Sequence, residues 1–75
     1  MKTISIREKE ILDLIAEEYT MKEIADQLYI SVETVKSHRK NLRCKLSVKN
    51  TAGLIRRAFE LGIFQLQNST IQLNF

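Results

Sequence analysis

The sequence predicts an all-α domain of four short helices, and three observations support this fold class. The 75 residues include no proline and only two glycines, so few positions interrupt a helix. Apolar residues recur at helical spacing in four separate segments. Each segment follows a side chain that can cap a helix, and these residues are Ser5, Thr20, Ser31 and Asn50.

The predicted helices are closely connected. Ser5 with Glu8, and Thr20 with Glu23, have the spacing of a capping box, which marks the start of the first two helices. Gly62 is suited to end the last helix. The predicted spans are residues 5–18, 21–28, 32–46 and 51–61.

The second and third predicted helices form a helix-turn-helix, because only residues 29–31 separate them. The third helix is the longer one, and basic side chains cover its surface outside one apolar stripe. Such a helix can enter the major groove of DNA. The side chains expected to be largely buried are Ile24, Leu28, Val35, Leu42 and Leu46, with Ile15 and Ile55 packed over them.

Charge is divided unevenly along the chain, although the net charge is only +3. Residues 1–31 hold four basic and seven acidic side chains, whereas residues 32–57 hold eight basic side chains and one carboxylate, Glu33. One pole of the domain is therefore expected to be cationic, as phosphate binding requires. A solvated basic helix without a ligand is the alternative interpretation.

Composition argues against several other classes of protein. No apolar run approaches the roughly 20 residues of a membrane span, and the N-terminal MKTISIREKE lacks the apolar core of a signal peptide. The single cysteine, Cys44, cannot form an internal disulfide, so a cytoplasmic location is expected. Two Tyr, three Phe and no Trp leave few aromatic side chains for stacking on single-stranded bases.

No constellation of residues predicts catalysis, a cofactor or a metal site. His38, the only histidine, has no second ligand at useful spacing and is expected to pack near the core. Cys44 is expected to be a small filler on the third helix. Glu8, Glu10 and Asp13 are interpreted as a solvated acidic face, and no glycine-rich phosphate loop exists. We therefore expect a binding protein and not an enzyme.

The N-terminal half of the third helix holds the predicted base contacts, since that half of a recognition helix faces the bases. Lys36 and Lys40 share one face, and either ammonium can reach guanine O6 or N7, or a phosphate. Solvated surface lysines are the alternative. Phosphate contacts are predicted near helix N-termini, namely at Thr20, Lys22, Ser31, Thr34 and Lys49, and also at His38 within the third helix. For Thr20 and Ser31, capping alone is the alternative, and the two roles are compatible.

A resemblance to a known family rests on five segments in order, which are IREKEILDLIAE, MKEIADQLYIS, VETVKSHRKNL, KLSVKN and a last helix ending in AFELGIF. Together they are similar to the LuxR/GerE-type DNA-binding domain, the output module of many bacterial response regulators. The resemblance covers residues 4–64 and implies a tetrahelical helix-turn-helix with the third helix as recognition helix. It also implies base contacts at Lys36, Ser37 and Lys40 and a dimer surface on helix four.

The chain departs from the usual pattern of this family at three positions. Ile6 stands where a proline is common, and Glu18 and Ser47 stand where glycines are frequent. Such glycines usually adopt a left-handed backbone, which costs another residue roughly 1 kcal/mol. We expect a small loss of stability or a shifted helix end at Glu18 and Ser47, and the same fold.

Helix four is predicted to carry the surface of a weak homodimer. The residues assigned to the domain core are Ala52, Ile55, Ala58 and Phe59. The remaining apolar-rich face, which consists of Leu54, Arg57 and Leu61, is the predicted contact with a second copy. Ordinary surface leucines without a partner are the alternative.

The sequence therefore predicts a sequence-specific double-stranded DNA-binding domain over residues 1–64. It would act as a bacterial transcription regulator or as the output domain of a response regulator. Residues 65–75 carry no charge and are expected to form a disordered or loosely packed tail, although Ile71, Leu73 and Phe75 alternate as in a strand. A contact of this tail with the domain or with a second chain is the alternative. The alternatives are a promoter-binding domain like region four of sigma factors, with RNA polymerase as partner, and a protein-interaction module that has lost DNA binding.

Overall fold

Four helices make up residues 3–64, the part of the protein that the computed structural model describes. They are α1 (Ile6–Ala16), α2 (Met21–Leu28), α3 (Val32–Leu46) and α4 (Thr51–Glu60). No strand occurs within residues 3–64, so the predicted all-α, four-helix class is confirmed. The helices α2 and α3 have the predicted bounds, and α1 and α4 end slightly earlier than predicted. The predicted tail at residues 65–75 lies outside the described residues.

Both predicted capping boxes are formed. Ser5 Oγ accepts a hydrogen bond from the Glu8 amide at 3.1 Å, and Glu8 Oε1 accepts one from the Ser5 amide at 2.9 Å. Thr20 and Glu23 make the equivalent pair of bonds at 3.1 and 2.8 Å. These bonds satisfy amide groups that a helix start would otherwise leave without partners, so they fix where α1 and α2 begin.

Three helix ends adopt a left-handed backbone at residues other than glycine. Glu18, Tyr29 and Ser47 have φ angles of 68°, 57° and 56°. The left-handed backbone that is usual at the positions of Glu18 and Ser47 is present, and Tyr29 is an addition that the sequence did not indicate. Each residue costs about 1 kcal/mol relative to glycine, because its Cβ approaches a backbone carbonyl. Gly62, with a φ of 69°, ends α4 without that cost.

The helix α3 packs against each of the other three helices. The core between them consists of Ile11, Leu12, Ile15, Ile24, Ala25, Val35, Leu42, Leu46, Leu54 and Ala58. The predicted burial is therefore confirmed for five residues, Ile15, Ile24, Val35, Leu42 and Leu46. Leu28 and Ile55 are only half-buried at the edge of this core. Because α3 buries one face against three helices, its opposite face is the one left for solvent or a ligand.

The predicted orientation of α4 is wrong. Leu54 is fully buried, and Leu61 is half-buried against the core, whereas Phe59 is 57% exposed. The physical cause is that α4 has a broad apolar side, opposite Arg56, Arg57 and Glu60, and the large Leu54 buries more apolar surface in the core than Ala52 would. Leu54 therefore cannot form a dimer surface, and of the predicted face only Arg57 is exposed.

A buried ion pair joins the start of α1 to the end of α3. Glu8 is 5% exposed, and Lys45 Nζ lies 2.7 Å from Glu8 Oε1 and 3.1 Å from the carbonyl oxygen of Thr3. The predicted solvated acidic face is therefore wrong for Glu8. Burial raises the pKa of this carboxyl, but hydrogen bonds from Lys45 and Ser5 and the charge of Lys45 outweigh burial, so the pKa is lowered overall. The pair fixes the C-terminal end of α3 against α1.

Candidate nucleic-acid interface

The outer face of α3 is the side opposite the core. Its exposed side chains recur three and four residues apart, which places them along one stripe of the helix. The outer face of α3 is defined by Glu33, Lys36, Ser37, Lys40, Asn41 and Cys44. Val35, Leu42 and Leu46 are buried on the opposite side, so packing holds this stripe outward.

Both lysines predicted to contact bases lie on the outer face of α3. Lys36 is 51% exposed, and its Nζ lies 3.8 Å from Glu33 Oε2, one helical turn earlier. Lys40 is exposed one turn further along, and it takes part in no ion pair within residues 3–64. Ser37 is exposed between them and offers a hydroxyl. This part of the outer face of α3 therefore presents two ammonium groups and one hydroxyl to a bound ligand.

Exposed hydroxyls cap the N-termini of α2 and α3. Ser31 Oγ accepts a hydrogen bond from the Thr34 amide at 3.0 Å and lies 2.9 Å from Thr34 Oγ1. Thr20 Oγ1 accepts from the Glu23 amide at the start of α2. A hydroxyl that accepts from an amide keeps its own proton for donation, and the Ser31 and Thr34 pair keeps one such proton after the bond between its two hydroxyls. Capping and donation to a phosphate are therefore compatible at both helix starts, as the sequence predicts.

The other predicted phosphate contacts differ in exposure. Lys22 and Lys49 are exposed, but His38 is half-buried. Its Nδ1 is buried, and no group within residues 3–64 forms a hydrogen bond with it. Nε2 of His38 is therefore the ring nitrogen that remains for a phosphate.

Two residues on the outer face of α3 were not predicted to lie there. Asn41 had no assigned role, and the expectation that Cys44 is a filler is wrong, because its side chain is exposed. Their spacing, four residues after Ser37 and Lys40, was the available indication in the sequence. An amide such as that of Asn41 can bond both N6 and N7 of adenine, so the face offers more than cationic groups.

The described surface offers no sign of a metal site. Residues 3–64 contain no group of three or more His, Cys, Asp or Glu side chains that could hold a metal ion. In the same stretch, no helix is both long enough and apolar enough to cross a membrane. The outer face of α3 presents ammonium, hydroxyl, amide, carboxylate and thiol groups.

A tight turn that joins α2 to a longer helix with an exposed cationic face defines a helix-turn-helix DNA-binding domain. The family described as bacterial regulatory proteins, luxR family, matches residues 2–58. The chain belongs to this family, and the resemblance found in the sequence is confirmed. It is a DNA-binding domain of the kind that acts in transcription regulation.

Two curated relatives are regulators much longer than this chain. The transcriptional regulatory protein MctR of Rhizobium johnstonii is 51% identical over 57 residues, which cover 76% of this chain and 27% of MctR. The oxygen regulatory protein NreC of Staphylococcus aureus is 44% identical over 59 residues, which cover 79% of this chain and 27% of NreC. The chain thus spans about a quarter of the length of these relatives.

Two solved structures share the fold. The response regulator ChrA of a heme-sensing two-component system has a TM-score of 0.81 and 31% identity, over 85% of this chain and 32% of ChrA. The transcription factor GerE has a TM-score of 0.79 and 35% identity, over 87% of this chain and 98% of the GerE chain. The same four-helix unit therefore occurs as one part of a longer chain and as nearly the whole of a short one.

Proposed function

We propose that this domain binds double-stranded DNA sequence-specifically, with α3 in the major groove. Lys36, Ser37 and Lys40 contact base edges, and the two ammonium groups donate to guanine O6 or N7. The observation that carries this proposal is the exposed pair of lysines one turn apart on the outer face of α3. One turn of helix rises about 5.4 Å, so the two lysines reach different base pairs of one site.

Phosphate contacts on either side of the groove position α3. Helix N-termini offer amide groups and a favourable dipole for anions, and nearby lysines add charge. We assign these contacts to Thr20, Lys22, Ser31, Thr34, His38 and Lys49. They set the register of the domain on DNA and carry no sequence information themselves.

A titration with duplex DNA at several salt concentrations tests this proposal. The protein should select a preferred sequence from a random duplex library. Its affinity should fall steeply as salt rises, because binding releases counterions condensed on the DNA. Failure to bind any duplex at low salt, or binding that does not respond to salt, would contradict the proposal. Either result would favour a protein-interaction module instead.

We also infer a weak homodimer through α4, on a different face from the predicted one. Ala52, Ile55, Arg56 and Phe59 have the spacing of one stripe and are exposed or half-buried. The Phe59 ring is 57% exposed and meets Phe64 edge-on, with ring centroids 5.2 Å apart. A second copy related by two-fold symmetry would cover this ring with the same stripe.

The substitution Phe59→Asp tests the dimer without removing a core side chain. Binding to a duplex with two half-sites should lose cooperativity, whereas binding to one half-site should change by less than about twofold. Phe59→Leu, which keeps an apolar side chain, is the matched control and should retain cooperativity. Unchanged cooperativity in a folded Phe59→Asp protein would remove this stripe from the interface.

The role of the whole protein is a further part of the proposal. MctR and NreC are regulators about four times as long as the segment they share with this chain. We propose that residues 1–64 serve as the DNA-binding unit of a cytoplasmic regulator, either as the output end of a longer protein or alone, as in a regulator of GerE size. RNA polymerase is the partner through which such a regulator would act. The proposal assigns no catalytic step to this domain.

A further inference from the structure

Glu33 is the one carboxylate on the outer face of α3. It is also the only acidic residue in the stretch 32–57, which holds eight basic residues. Its side chain is 85% exposed, and its Oε2 lies 3.8 Å from the Nζ of Lys36. A carboxylate on a surface that meets phosphates weakens binding to any DNA, since like charges repel. General DNA affinity would therefore favour a neutral or basic residue at this position.

The cap of α3 does not require the Glu33 carboxylate. Ser31 already caps the helix through the Thr34 amide, and the hydroxyl of Thr34 extends that cluster. The contact between Glu33 and Lys36 is long and exposed to water, and such ion pairs add little to folding. The helix dipole favours a carboxylate in the first turn of α3, on any side of the helix. The position of Glu33 on the outer face of α3, beside Lys36, is the property that this structural role leaves unexplained.

We propose that Glu33 is a specificity-determining residue, which accepts a hydrogen bond from the N4 amino group of a cytosine beside the base that Lys36 contacts. This inference rests on the proposed function, because it requires α3 in the major groove. Three residues span about 4.5 Å along a helix, close to the roughly 3.4 Å between successive bases of one DNA strand. Glu33 and Lys36 therefore meet adjacent base pairs.

Cytosine is the base that best suits a carboxylate in the major groove. It presents only a donor there, whereas guanine presents two acceptors and adenine places its N7 acceptor beside its amino group. A carboxylate is repelled by each of those acceptors. Lys36 carries three N–H donors, so its ammonium can keep its contact with Glu33 and still donate to guanine. The pair thus couples a preference for cytosine to a preference for guanine at the next position.

The substitution Glu33→Gln tests the proposal, because it keeps the size of the side chain and removes its charge. Affinity is measured for the selected duplex and for every single-base variant of it. The preference for cytosine at one base pair should fall by about 5- to 100-fold and shift toward adenine, whose N6 and N7 suit an amide. Affinity for unrelated duplexes should rise, and this rise should shrink at high salt while the altered preference persists.

The matched control is Glu17→Gln, which removes the same charge from the exposed C-cap residue of α1. It should leave the base preference unchanged. A Glu33→Gln protein that binds every duplex more tightly by one common factor would overturn the proposal and leave Glu33 as a repulsive charge. Absence of any sequence preference in the parent protein would instead overturn the proposed function. The two failures are therefore distinguishable.

Discussion

The two ends of α3 place the same residue type in opposite situations. Near the C-terminal end, Lys45 lies 2.7 Å from Glu8, with side-chain exposures of 24% and 6%. Near the N-terminal end, Lys36 is 51% exposed and lies 3.8 Å from an exposed Glu33. The first lysine stabilises the packing of α3 on α1, and the second is left for a ligand. The number of basic residues on a helix therefore overstates the charge that the helix can offer to DNA.

Removal of the lysine at the C-terminal end should have the largest effect on stability. Lys45→Ala leaves the Glu8 carboxylate buried without its partner and should lower the free energy of unfolding by about 3 kcal/mol. This value is at the low end for buried pairs because Lys45 is partly exposed. Lys36→Ala should change the same quantity by less than about 0.5 kcal/mol. Urea unfolding followed by circular dichroism measures both.

A double variant separates the lost attraction between Glu8 and Lys45 from the cost of burying a charge without a partner. Glu8→Gln with Lys45→Met removes both charges, and glutamine can still complete the capping box with Ser5. The double variant should be more stable than Lys45→Ala. Equal stability losses from Lys45→Ala and Lys36→Ala would show that the two ends of α3 do not differ in the way described.

For DNA binding, substitution of a lysine on the outer face of α3 should have a larger effect than substitution of Lys45. Lys40→Ala should weaken binding to the preferred duplex by about 1–3 kcal/mol and leave the fold intact. Lys45→Ala, measured at a temperature where it is folded, should weaken binding less. Titrations with the preferred duplex and with an unrelated duplex are compared. If Lys40→Ala lowers the affinity for both duplexes equally, Lys40 contacts a phosphate and not a base. A larger loss of affinity from Lys45→Ala than from Lys40→Ala would contradict the expected difference between the two ends of α3.

Serines stand at both ends of α3 and should respond in opposite directions to substitution. Ser31→Ala removes the hydrogen bond to the Thr34 amide and should cost about 1 kcal/mol. Ser47→Gly relieves a left-handed backbone with a φ of 56° and should add about 1 kcal/mol. Thermal unfolding at equal protein concentration provides the measurement. If the unfolding temperatures of the two variants shift in the same direction, either the capping role of Ser31 or the backbone strain at Ser47 is contradicted.

The smallest expected effect is a dependence of stability on pH that arises from Glu8, the partner of Lys45 at the C-terminal end of α3. The pKa of Glu8 is lowered in the folded protein from its ordinary value of 4.5. The stability contributed by Glu8 is therefore fully present above that value and is lost as pH falls through the lower pKa of the folded state. Glu8→Gln should flatten the pH dependence of the urea midpoint in the acidic range. Glu23→Gln, in the exposed capping box of α2, is the control, and identical slopes in both variants would contradict the role of Glu8.

The features that depend on nearby residues could be predicted from the sequence. Both capping boxes, the bounds of α2 and α3 and the buried stripe of Val35, Leu42 and Leu46 are set within a few turns of helix. The same local spacing placed Lys36 and Lys40 on one exposed face. Their contacts with bases remain predictions, because such contacts depend on a DNA sequence that the chain does not specify.

The features that depend on distant residues could not be predicted in this way. The burial of Glu8 depends on Lys45, which lies 37 residues later in the chain. The orientation of α4 depends on which part of its broad apolar side meets the core, and Leu54 is buried there while Phe59 is exposed. Helical periodicity identifies the apolar side of a helix, but where that side is broad it does not fix which residues at its edges are buried.

The exposure of Cys44 makes the outer face of α3 accessible to selective chemistry. The chain has one cysteine, so a thiol-directed spin label would attach at a single place, four residues after Lys40. In two copies bound to adjacent half-sites, the labels would lie about as far apart as the two recognition helices, which is roughly 34 Å for one turn of DNA. A distance distribution measured between the labels would then give the half-site spacing of the bound DNA directly.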